Sequence, residues 1–106
     1  MKIMIKEKYL QQIEKIIRHI LSGHNDVKVY IFGSRARMDF HETSDIDIAL
    51  LGKKILPNIL LSRLREAFEE STIPYQIDVV DLLAVDESFR HVVLKEGKLW
   101  IELSNV

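Results

Sequence analysis

The 106-residue chain has no cysteine, so disulfides, thiolate metal sites and cysteine nucleophiles are excluded. It also has no apolar run near the roughly 18 residues of a membrane-spanning helix. The N-terminal MKIMIKEKYLQQ breaks into charge before an apolar signal core could form. The default expectation is a cytoplasmic protein without membrane attachment. Basic charge is not in excess: 15 Lys and Arg against 16 Asp and Glu leave a formal charge of −1. Proteins that grip a long nucleic-acid backbone ordinarily carry a basic stripe, because phosphate contacts dominate that affinity. No extended nucleic-acid surface is expected, and any phosphate site must be local. Repeats, low-complexity tracts and linkers are missing too, so residues 1–106 read as one domain.

Hydrophobic residues, at 47%, suffice for a single core. Leu10, Ile13, Ile16, Ile17, Ile20 and Leu21 recur at helical spacing over residues 6–22, and Ser22-Gly23 stops that helix. Residues 27–32, containing KVYIF, are β-branched and aromatic and predict a strand ended by Gly33-Ser34. Residues 35–44 are polar, and residues 45–51 form a second predicted strand. Pro57 suits the first turn of a helix continued by Leu60, Leu61, Leu64, Ala67 and Phe68 to about residue 71. Residues 75–82 predict a third strand. Asp86 is placed to cap a helix through Val92, Val93 and Leu94 that stops at Gly97. Residues 99–103 read as an edge strand or a final turn. The order α-β-β-α-β-α, with this last segment, predicts a small α/β (α+β) fold. The first two strands are joined by about a dozen irregular residues, a length that usually signals function or disorder.

The chemistry concentrates around that loop. In DIDIALL the strand period puts Asp45 and Asp47 on one face and Ile46, Ile48 and Leu50 on the other. In YQIDVVD, Asp78 interrupts an apolar strand; laid beside the previous strand, it completes a three-carboxylate cluster. Three such charges within ~5 Å repel by roughly 3 kcal/mol per pair at an effective dielectric near 20. Folding gains nothing from that. Mg²⁺, which takes oxygen ligands together with substrate phosphates, turns the repulsion into binding, and two ions are the usual clamp for phosphoryl displacement.

Taken singly, Asp45 reads as a turn residue at a strand start and Asp81 as a turn or cap. Asp47, between Ile46 and Ile48, resists that explanation, and β-propensity disfavours all three cluster members together. Gly33 allows positive φ and close phosphate approach. Ser34 offers a hydroxyl at the start of a short helical turn, and Arg35 and Arg37 supply forked phosphate donors. A strand ending in Gly-Ser is common; what distinguishes this one is Asp-x-Asp ten residues later. His19, His24, His41 and His91 are scattered without the two-histidine spacing of a zinc helix. They read as structural or solvent-facing, with His41 making a local loop contact. Ser34 lacks the flanking glycine of a hydrolase nucleophile elbow. The charges from Arg63 to Glu70 read as a solvated helix face, and Tyr30 and Trp100 as packing residues.

GSRARMDFHETSDIDIAL resembles the signature of the polymerase-β-type nucleotidyltransferases, in the short minimal nucleotidyltransferase (MNT) branch. Gly33-Ser34, ten intervening residues and Asp45-Ile46-Asp47 match its spacing, and QIDVVDL and FRHVVLKEGKLWIE resemble its third-aspartate strand and closing helix. The resemblance implies a nucleotidyltransferase fold with a small mixed sheet and helices packed on one face. It implies Asp45, Asp47 and Asp78 as catalytic metal ligands for Mg²⁺, two ions in all. A triphosphate cradle of Gly33 and Ser34, assisted by Arg35 or Arg37, would hold ATP. Asp78 would help activate the acceptor. Met38 departs from a glycine that the family often has, which bears on the path of the phosphate loop.

Larger relatives carry an additional helical domain for base or acceptor, which these 106 residues are not expected to include. Prokaryotic MNT proteins resemble the antitoxin half of a pair whose toxin is an all-helical HEPN ribonuclease. The implied function is transfer of AMP from ATP to that toxin; the alternative is a non-catalytic antitoxin that masks it by binding. Association into a homo- or hetero-oligomer fits both.

Overall fold

The computed structural model describes residues 5–24, 26–37 and 45–103. Met38 and His41 lie outside these residues.

The first apolar stripe forms α1 (Glu7–Ile20), which buries Ile13, Ile17 and Ile20. Strand β1 (Val27–Phe32) follows, and Gly33 leads into a single helical turn, α2 (Ser34–Arg37). After β2 (Ile46–Leu51), helix α3 (Asn58–Glu70) carries the chain back to β3 (Ile77–Asp81). Helix α4 (Glu87–Glu96) and strand β4 (Lys98–Leu103) complete the described chain. The Asp86 side chain caps α4 by accepting the Phe89 amide at 2.8 Å. Of the two readings open for residues 99–103, the strand is correct.

The sheet order is β3-β2-β1-β4. β1 runs antiparallel to β2 and β4, whereas β2 and β3 are parallel, so the sheet is mixed. A parallel pair needs a crossover, which α3 supplies. Its consequence is positional: β2 and β3 both begin at the sheet end where β1 finishes.

Ile46, Ile48 and Leu50 join Val27, Val29 and Ile31 in the main core under α1 and α3. The expectation of helices packed on one face holds for these two and needs correcting for α4. Val93 of α4 packs with Ala49 and Leu82 in a second cluster, against Tyr30, Phe32 and Leu51. These strand residues alternate with those of the main core and so lie on the other face. Trp100 and Tyr30 pack as predicted, and His19 and His91 are exposed. Among the described residues no helix is long and apolar enough to cross a membrane.

Candidate active site

Three elements deliver their ends to one edge of the sheet. Phe32, the last residue of β1, is the register partner of Asp47, and Asp47 is in turn the partner of Asp78. Adjacent strands lie ~4.8 Å apart, and side chains at paired positions share a face. Asp47 and Asp78 are therefore neighbours on the face opposite the main core. Asp45 sits just before β2, exposed, two residues from Asp47 along the chain.

Burial pushes the Asp47 carboxyl above the usual carboxylate range, and the charges of Asp78 and then Asp45 push it further; Arg37 pulls it back. The Gln76 amide lies 3.4 Å from Asp78 Oδ1. Among the described residues no group of three His, Cys, Asp or Glu side chains is already gathered to hold a metal ion.

Gly33 has φ +73°, a conformation that costs side-chain-bearing residues energy. A Cβ there would also collide with the Asp47 carboxylate, whose Cγ lies 3.2 Å from the Cβ position. The glycine thus both turns the chain and leaves space at the acid. Its carbonyl accepts the Ala36 and Arg37 amides at 3.1 Å each, which fixes α2 directly after it.

The two loop arginines diverge. Arg37 is exposed, acts on Asp47 by charge, and lies 3.9 Å from Glu96 of α4. Arg35 turns inward: it is 3% exposed, with its guanidinium 4.9 Å from the centre of the Tyr75 ring. Sequence reasoning treated the pair alike. Ala36 beside Arg35 is buried as well, so this side of the turn faces inward.

Asp81 is 2% exposed, and its oxygens accept the Leu56 amide at 2.8 Å and the Leu83 amide at 3.0 Å. This is the turn role read from its position.

The model of the family described as polymerase beta, nucleotidyltransferase, matches residues 14–105. The chain belongs to this family. Nucleotidyltransferases are enzymes. The chain is 32% identical over 91 residues to the "Probable protein adenylyltransferase MntA" of Haemophilus influenzae, covering 86% of this chain and 77% of that protein. A crystal structure of a toxin–antitoxin with AMP-PNP is 30% identical, with a TM-score of 0.66 over 84% of this chain and 73% of its own. A complex of tri-AMPylated Shewanella oneidensis HEPN toxin with MNT antitoxin gives a TM-score of 0.68 at 26% identity, covering 92% and 73%. The nucleotidyltransferase fold expected from the sequence is thereby established.

Proposed function

We propose that this chain is a Mg²⁺-dependent adenylyltransferase that moves AMP from ATP onto a hydroxyl of a helical HEPN-type toxin, and so serves as its antitoxin in the cytoplasm. The family supplies the reaction class; the similar AMP-PNP and HEPN complexes motivate the nucleotide and the partner. The observation that carries the reading is the in-register pairing of Asp47 with Asp78 beside a glycine that leaves the carboxylate room.

The donor set fits Mg²⁺. It is all oxygen and lies toward solvent, and this ion is usually held by one or two carboxylates with phosphates and water completing its shell. A preformed cage of three acids is not required. Asp45, Asp47 and Asp78 would hold the metal, two ions at full occupancy, and when bound it would offset charge on the phosphates and the leaving group. Gly33 lets the triphosphate approach, while the Ser34 hydroxyl and the Arg37 guanidinium bind its oxygens. Asp78, exposed on β3, accepts the acceptor's proton as that oxygen bonds to the α-phosphorus. The bond from the α-phosphorus to the bridging oxygen breaks, and pyrophosphate departs.

A second reading, neutralisation by contact alone, is favoured by the exposed apolar residues Val92 (51%), Leu94 (40%) and Leu99 (39%). One experiment separates the two. The protein is incubated with Mg²⁺, α-labelled ATP and the product of the neighbouring gene. Label on the partner that is lost in Asp45→Ala supports the enzyme. Neutralisation that survives Asp45→Ala supports the binder. A wild-type melting temperature unmoved by saturating Mg-ATP would sink the catalytic reading, since a ligand stabilises the state it binds.

A further inference from the structure

We infer that Tyr75 is a positioning residue that locks the phosphate loop to the third-aspartate strand by stacking on buried Arg35; this rests on the catalytic reading above. Arg35 directly follows Ser34, and Tyr75 stands three residues before Asp78. The guanidinium lies 4.9 Å from the Tyr75 ring centre and is almost wholly buried. A desolvated cation over an aromatic face is a strong form of this contact. Tyr75 is itself held from behind, edge to face with Tyr9 of α1 at 5.6 Å and 88°. The next residue anchors the strand: the Gln76 carbonyl accepts the Ile46 amide at 2.9 Å, beside Asp45.

Segments of the site therefore converge around Tyr75. The Ser34 turn reaches its ring through Arg35, the start of β2 bonds the carbonyl of the next residue, Gln76, and Asp78 lies on the strand that begins two residues after Tyr75. The stack spans directly from α2, a single turn, to the segment that leads into β3 at the sheet edge. A shift of about 1 Å between phosphate donors and metal ligands costs a reaction of this kind about a hundredfold. Arg35 thereby serves ATP from behind the loop, while Arg37 faces the acids.

The test uses the whole protein with Mg-ATP, and the variants Tyr75→Phe, Tyr75→Leu, Arg35→Met and the double Arg35→Met/Tyr75→Leu. Tyr75→Leu and Arg35→Met are each expected to raise the KM for ATP about tenfold, with a smaller fall in kcat. The double variant is expected to be no worse than the poorer single, because both remove one contact. Tyr75→Phe, which keeps the ring, is expected to stay within about twofold of wild type. Should Tyr75→Leu lose its cooperative melt, Arg35→Lys takes its place; it keeps the charge without the planar stacking face. A folded Tyr75→Leu (or Arg35→Lys) with wild-type KM overturns the inference. So does multiplication of the two losses in the double variant. Loss of the Mg-ATP thermal shift in Arg35→Met alone would instead assign Arg35 directly to the phosphates. If wild type shows no Mg-ATP shift, the catalytic reading has failed, and the stack is still decided by urea denaturation. Coupling of about 10- to 30-fold in the folding equilibrium supports it, and independent effects refute it.

Discussion

Strand β3 carries two aspartates three residues apart, and they meet opposite environments. Asp81 is buried, yet each of its oxygens receives a backbone amide, one from Leu56 before α3 and one from Leu83 after the strand. It ties two loops to the sheet. Asp78 is exposed and paired in register with Asp47, whose carboxyl is pushed upward by burial and then by the charges of Asp78 and Asp45. A buried carboxylate with donors holds the fold together; half-exposed carboxylates facing one another strain it. Only the repelling end is given a use by the proposed function.

Breaking the repelling end should have the largest effect. Asp47→Asn keeps the shape and removes the charge, and AMP transfer is expected to fall by about 10³-fold, the scale of losing a preorganised electrostatic contact. Radiolabel transfer measures this. At the satisfied end, Asp81→Ala leaves two buried amides without acceptors. A loss of about 2–4 kcal/mol in urea denaturation is expected, with a Tm fall of more than about 10 °C. Retained stability would mean that Asp81 is not the tie described here.

Two smaller effects sharpen the contrast through pH. The Asp47 carboxyl is raised in the fold, so the folded state keeps that proton to higher pH than the unfolded chain does. This group's contribution is therefore best below the usual carboxylate range and deteriorates as pH rises through the raised value. Metal-free Asp47→Asn should gain a few degrees in Tm at neutral pH, and the gain should vanish in acid. Asp86 behaves in the opposite sense: the Phe89 amide, then Ser88, hold it below the usual range. Its contribution exists above that range and is lost as pH falls through the lowered value. Asp86→Ala should lower Tm slightly at neutral pH and match wild type in strong acid, as calorimetry across pH would reveal.

β1, β2, β3 and the three longer helices were legible from apolar period and residue type, β4 only as one of two readings, and Gly33-Ser34 with Asp45 and Asp47 as a spacing. What the chain did not disclose was partnership. That β3 lies beside β2, with Asp78 level with Asp47, follows from how α3 crosses the sheet and from no local pattern. The inward turn of Arg35 was hidden because Arg-x-Arg looks identical whichever residue is buried. Helix α4 on the second face had a signal: Phe89 and Val93 are four residues apart, and β1 and β2 are apolar on both faces. Met38 and His41 fall outside the described residues.

The parallel pairing of β2 and β3 has a kinetic corollary. Asp47 and Asp78 stand 31 residues apart in the chain, 78 − 47, and become neighbours only once β3 has docked. Before that closure their mutual repulsion does not exist. Where β3 docks after the rate-limiting step, relieving the acidic pair slows unfolding and leaves the early steps of collapse untouched, which unfolding kinetics of Asp47→Asn would read.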